Sequence, residues 1–139
     1  MNLVIDASTA LAWIYERAQP AEAACADRAL KSFAEMTVTV PLLWHTEIAN
    51  ALLVGERRKV ITKAQTMDFL TRLASLPIVA DDAGPADRQE QVMALAREHG
   101  LSAYDATYLE LALRTGSELA TFDGKLANAM QSAGGKVFA

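Results

Sequence analysis

Residues 101–126, LSAYDATYLELALRTGSELATFDGKL, decide how the rest of the chain is read. Ser102 is a helix-capping residue type, Asp105 follows three positions later, and Ala106 to Leu113 is rich in good helix formers. Gly116 stops that helix, and Glu118 to Phe122 then reads as a buried strand ending at Asp123. Two carboxylates therefore occupy comparable places: Asp105 in the first turn of a helix, Asp123 just past the carboxyl end of a strand. In an open α/β sheet, ligands bind outside the carboxyl ends of the strands. The remaining question is whether other segments bring acids to that edge.

The amino terminus does so at once. Residues 2–8, NLVIDAS, form an apolar run that stops at Asp6. Apolar on both faces of its period, the run suits a central parallel strand covered by helices. A turn or capping role would also account for Asp6, with Ser8 and Thr9 able to cap a helix through Tyr15. Leu11, Trp13, Ile14 and Tyr15 make that helix unusually apolar; core packing explains most of this, and a partner-binding groove is the sharper alternative. A second helix is expected from Pro20 to Phe33, then a strand over Thr37 to Val40.

A long helix follows from Leu43 to about Glu56, with Trp44, Ile48, Ala51 and Leu52 as its buried stripe. Glu47 and Asn50 share a neighbouring face of it. An acid among such residues is costly unless paired, hydrogen-bonded or bound to a metal, although a solvated outer position would avoid that cost. His45 lies about 160° around the helix from Glu47 and reads as a packing or surface residue. Further on, Thr62 caps a helix to Leu73 that carries Met67, Leu70 and Leu73 inward. Leu76 to Ala80 is strand-like, and Asp81-Asp82 reads as a loop and cap for a helix over Pro85 to His99. A short helix from Lys125 to Met130 and a final edge strand over Lys136 to Phe138 complete the order βα(α)βααβααβαβ. That order points to an α/β fold, a central, mostly parallel sheet sandwiched by helices.

Length and composition narrow the class. A chain of 139 residues is expected to form a single domain over 1–139, and 52% hydrophobic residues argue for a packed core. The single cysteine, Cys25, leaves no internal disulfide framework and fits a reducing cytoplasm. No run resembles a signal segment or approaches the roughly 20 apolar residues of a membrane span, so a soluble cytoplasmic protein is expected. The formal charge of −4 shows no global basic footprint for nucleic acid, but cations held by clustered acids would reverse the local sign. Arg57, Arg58 and Lys59 form the one dense basic run, either a solvated helix end or a contact to a phosphate backbone.

Asp6, Glu47, Asp105 and Asp123 are the acids that end strands or interrupt apolar helices. Four carboxylates packed around nothing would repel and raise one another's pKa values. Around one or two hard divalent cations such as Mg²⁺ they make sense, because such ions prefer carboxylate and water oxygens. A site of that kind polarises a phosphodiester, activates a water and stabilises the leaving oxygen. Ser8, Asn50 and Thr121 are small polar groups placed to orient acids or waters around it. Asp105 alone has a simpler account, since Ser102 to Asp105 has capping-box-like spacing. That account and a metal role are compatible.

Val4-Ile5-Asp6-Ala7-Ser8, Glu47-Ile48-Ala49-Asn50-Ala51-Leu52, Leu101-Ser102-Ala103-Tyr104-Asp105-Ala106 and Ala120-Thr121-Phe122-Asp123-Gly124-Lys125-Leu126 resemble, in order, the motifs of PIN-domain ribonucleases. The likeness is strongest to the VapC toxins of prokaryotic toxin–antitoxin pairs, and it spans residue 2 to about 138. It implies a PIN-like α/β/α sandwich and a Mg²⁺- or Mn²⁺-dependent endoribonuclease, with Asp6, Glu47, Asp105 and Asp123 as the acidic quartet. Ser8, Asn50 and Thr121 match the supporting polar positions. The resemblance also implies a homodimer restrained by a VapB-type antitoxin. For the antitoxin's groove Trp13 and Tyr15 are candidates; for the RNA path, Arg57, Arg58, Lys59 and Lys125. Gly124 stands where some relatives carry another polar or acidic residue. Two other readings compete: a haloacid-dehalogenase-like phosphatase with Asp6 as nucleophile, and an inert PIN-like binding module. The phosphatase usually has a second acid two residues on, where this chain has Ser8.

Overall fold

The computed structural model describes residues 1–139. Four strands form one parallel sheet: β1 (Asn2–Ile5), β2 (Thr37–Val40), β3 (Ile78–Ala80) and β4 (Glu118–Ala120), in the spatial order β3-β2-β1-β4. Seven helices connect and follow them: α1 (Ala7–Leu11), α2 (Pro20–Lys31), α3 (Leu43–Arg57), α4 (Lys63–Ala74), α5 (Pro85–His99), α6 (Ala103–Thr115) and α7 (Gly124–Ser132). Successive strand residues point to opposite faces, yet Leu3, Val4 and Ile5 are all fully buried, so helices cover the sheet on both sides.

The topology places a crevice. The chain runs outward from β1 through β2 to β3, then returns to lay β4 on the other side of β1. The order therefore reverses between β1 and β4, and this is where open α/β sheets bind ligands, beyond the strands' carboxyl ends. Asp6 directly follows β1, and Asp123 lies three residues past β4.

Most elements form where hydrophobic period and cap chemistry place them. Thr62 and Gln65 make a reciprocal capping box on α4, and Ser102 caps α6. Gly100 and Gly116 end α5 and α6 in the left-handed region, at φ 66° and 64°, which a side chain resists.

Several expectations need correction. The first helix is capped by Asp6, not Ser8 or Thr9, and ends at Leu11. Trp13 and Tyr15 then spend their polar ends on neighbouring backbone: Trp13 Nε1 donates to the Ala26 carbonyl at 2.9 Å and the Tyr15 hydroxyl to Ala51 at 3.0 Å. The second helix gives way after Lys31 to a 3₁₀ turn over Ser32–Ala34. Within α4, Met67 and Leu70 are 57% and 41% exposed, whereas Thr66, Phe69 and Leu73 face inward. A half-buried bond from Thr66 Oγ1 to Glu56 Oε2, 2.8 Å, fits that helical phase. The third strand starts at Ile78 because Pro77 has no N–H for the ladder. The fourth stops at Ala120, where the next residues turn towards Asp6. The expected final strand shrinks to one bridge, Leu119 with Val137. No helix is long and apolar enough to cross a membrane.

Candidate active site

Asp6 is the hub of the crevice. Its Oδ1 accepts from Thr9 N at 3.0 Å, Ser8 Oγ at 2.7 Å and Thr9 Oγ1 at 3.2 Å, while Oδ2 accepts from Thr121 Oγ1. Two of those hydroxyls reach further. Ser8 Oγ accepts from Phe122 N at 3.1 Å, and Thr121 Oγ1 accepts from Asp123 N at 3.0 Å. The loop after β4 is thus laced to the loop after β1, which explains why β4 ends early. Asp6 is only 6% exposed, and this burial raises its carboxyl pKa despite the hydrogen bonds from Thr121, Ser8 and Thr9 that favour the ionised form.

The other acids arrive on helices. Asp123 caps α7, its Oδ1 accepting from Leu126 N at 3.0 Å. Asp105 occupies the first turn of α6, where its backbone N–H donates to Ser102 Oγ at 3.1 Å. Glu47 lies half-buried on α3, its Oε1 accepting from the hydroxyl of Tyr108 on α6. Burial first, then the charges of Asp123 and Asp6, push the Asp105 pKa up, with Lys125 pulling the other way. Burial also leads for Glu47, where the charges of Asp6 and Asp105 add to it and the Tyr108 hydrogen bond opposes it. Glu47 therefore feels the charges of Asp6 and Asp105, and Asp105 those of Asp123 and Asp6.

None of these four carboxylates has an ion pair, although ion pairs hold Glu22, Asp68, Asp81, Glu110 and Glu118 elsewhere. An all-oxygen donor set whose buried members have raised pKa values and no ion pair has the chemistry a hard divalent ion requires. As the side chains stand, no three acidic, histidine or cysteine groups converge on one point. Asp105 is half-buried and Asp123 is exposed, so these two have room to turn towards Asp6 and Glu47, while Tyr108 holds Glu47 in place.

The remaining candidates divide. Ser8 and Thr121 hold Asp6, whereas Asn50 is exposed and no hydrogen bond ties it to the acids. His45 is exposed and lies edge-on to Trp44, at 5.0 Å between centroids. Asp81 does not cap α5, whose cap residue is Gly84; it forms an ion pair with Arg114 at 2.6 Å instead. Arg57, Arg58 and Lys59 are exposed at the end of α3. Lys125 is the cation whose charge reaches Asp105. Sequence reading missed Tyr108. The available signal was its position three residues after Asp105, on a neighbouring part of the same helix, as an aromatic whose hydroxyl needs a partner once buried.

Known proteins resemble this chain over most of its length. The family model described as PIN domain matches residues 3–130. The chain is 34% identical over 130 residues to Ribonuclease VapC3 of Pyrobaculum aerophilum, covering 91% of this chain and 93% of that protein. Among solved structures, PAE2754 from Pyrobaculum aerophilum superposes with a TM-score of 0.68 at 26% identity, over 93% of this chain and 86% of that one. FitAcB from Neisseria gonorrhoeae shares the fold, with a TM-score of 0.60 at 16% identity over 99% and 96% of the two chains.

Proposed function

The chain belongs to the PIN-domain family, and from that premise we propose that it is a metal-dependent endoribonuclease, the toxin of a toxin–antitoxin pair. The observation that carries this reading is the gathering of Asp6, Glu47, Asp105 and Asp123 at the sheet's switch point without an ion pair among them. The 34% identity to a protein named as a VapC ribonuclease supports RNA as the substrate.

Asp6, Asp105, Asp123 and Glu47 would hold Mg²⁺ or Mn²⁺. When bound, such an ion supplies Lewis-acid polarisation of the phosphodiester and a more acidic water. The protein's own groups do the positioning. Thr9, Ser8 and Thr121 donate to both oxygens of Asp6, fixing the plane of the carboxylate and favouring its charged form. The amino terminus of α6 favours negative charge on Asp105. Lys125, close enough to lower the Asp105 pKa, is placed to meet a backbone phosphate of the RNA. Ser8 is committed to Asp6 and Phe122 and stands where a haloacid-dehalogenase-type phosphatase would carry its second acid.

A cytoplasmic homodimer restrained by a VapB-type antitoxin completes the proposal. The test is to incubate the purified protein with RNA in Mg²⁺ or Mn²⁺ and map new ends, then to repeat with EDTA and with Asp6→Asn. Discrete ends that vanish in both controls are expected. Cleavage persisting in EDTA would overturn metal dependence. No cleavage under any condition, together with no growth arrest relieved by the adjacent small gene product, would mark an inert binding module. Turnover of a small phosphomonoester without RNA cleavage would restore the phosphatase.

A further inference from the structure

Tyr108 is 2% exposed, and its phenol faces neither solvent nor an apolar wall. It donates to Glu47 Oε1, so a side chain on α6 reaches across to a carboxylate on α3, 61 positions earlier. One turn back along α6 sits Asp105, and the charge of Asp6 is felt by both Tyr108 and Glu47. The tyrosine therefore stands at the join of three elements that each contribute an acid. Burial, with Glu47 beside it, pushes the phenol pKa up, so the group remains a neutral donor throughout the physiological range.

A glutamate on a helix has three side-chain torsions, and Glu47 has no other hydrogen-bond partner to hold it. Left alone in a partly buried cluster of like charge, it would swing outward to solvent. The phenol removes that freedom by occupying one lone-pair direction of Oε1, leaving Oε2 free. Removing rotamer freedom before the ion arrives is preorganisation, and such outer contacts typically change metal affinity or activity about 10–100-fold.

We infer that Tyr108 is a positioning residue for the metal centre, holding Glu47 by Oε1 so that Oε2 is presented to a divalent cation shared with Asp6 and Asp105. The inference rests on the metal-dependent reading above and deepens it. Tyr108→Phe removes one oxygen and keeps the buried ring, so the fold is retained while the hold on Glu47 is lost.

The test is Mn²⁺ binding to the full-length protein, followed by the loss of the free-ion electron paramagnetic resonance signal. It covers the wild type, Tyr108→Phe, Glu47→Gln and the double variant, with thermal unfolding alongside. Tyr108→Phe is expected to weaken Mn²⁺ binding about 10-fold, and to add little in the Glu47→Gln background. Unchanged affinity in Tyr108→Phe, or two losses that simply multiply, would overturn the inference; so would a lower melting temperature with wild-type affinity, which marks a packing role alone. Should Tyr108→Phe fail to fold, Glu47→Asp decides. It keeps the charge but retracts the carboxylate from the phenol, and wild-type affinity in that variant overturns the proposal. Failure of the wild type to bind Mn²⁺ at all overturns the metal-dependent reading together with this inference.

Discussion

Two groups of acids in this chain have opposite electrostatic fates. Between α5 and α6, Glu110 is 5% exposed yet sits between Arg88 at 3.0 Å and Arg114 at 2.8 Å, and Arg114 continues to Asp81 at 2.6 Å. Two arginines there answer two carboxylates, and the carboxylates push the Arg114 pKa upward, Glu110 first. At the β1–β4 edge, Asp6 is buried just as deeply, and it and its neighbours have only hydroxyls, backbone N–H groups and the partial influence of Lys125. Burying a charge is costly in both places. The first group meets that cost with arginines, and the second meets it with neutral donors alone. Under the proposed function, the difference separates an acid that holds the structure together from one kept for a metal.

The sharpest way to break this contrast is to remove charge from each side. Asp6→Asn or Asp105→Asn is expected to reduce RNA cleavage by at least about 100-fold, read by end mapping at saturating Mn²⁺, while both proteins remain folded. Residual cleavage within about 2-fold of wild type would put the chemistry elsewhere. Arg114→Met should do the reverse: a stability loss of about 2 kcal/mol by urea unfolding, because Glu110 stays buried with one partner fewer, and little change in cleavage.

The pH dependence sharpens the same point. The Asp6 pKa is raised in the folded state above its ordinary 3.8, so the native protein binds that proton more tightly than the unfolded chain. Native stability contributed by this group is therefore present at low pH and lost as pH rises from about that value through the raised folded pKa. Without metal, wild type should lose stability relative to Asp6→Asn across that window, measured as the difference between their unfolding free energies. Mn²⁺ at about 100 times its dissociation constant should raise wild-type stability by about 2.7 kcal/mol above the window and leave Asp6→Asn nearly unmoved. A wild type that gains relative to the variant with rising pH would mean that Asp6 already has its cation. The smallest effect is expected for Asn50→Ala, within about 0.5 kcal/mol in stability, since Asn50 is exposed and unbonded. A large loss of cleavage there would show that it turns into the site with substrate.

Local chemistry made much of this legible. Asp6, Asp105 and Asp123 could be found because each ends an apolar run or opens a helix, and those boundaries are written in residue type. Glu47 was legible only as an acid out of place in an apolar helix; its partner Tyr108 lies 61 residues on, too far for any sequence period to connect them. The helical face of α4 and the early end of β4 escaped for a related reason. Phe69 faces inward where Met67 and Leu70 were expected to, and β4 ends where the hydroxyls of Ser8 and Thr121 draw the loop after it towards Asp6.

The chain by itself determined the order of strands and helices, their caps, and the residue types available to a cation. Periodicity and capping act over three to five residues, a range within which every neighbour is known from the sequence. Tertiary structure decided which acids would meet arginines or hydroxyls from other elements. Charge compensation acts across space. Arg114 follows Glu110 by four residues on one helix, a pairing the sequence spacing allows, but only packing put Arg114 beside Asp81, Arg88 beside Glu110 and Thr121 beside Asp6.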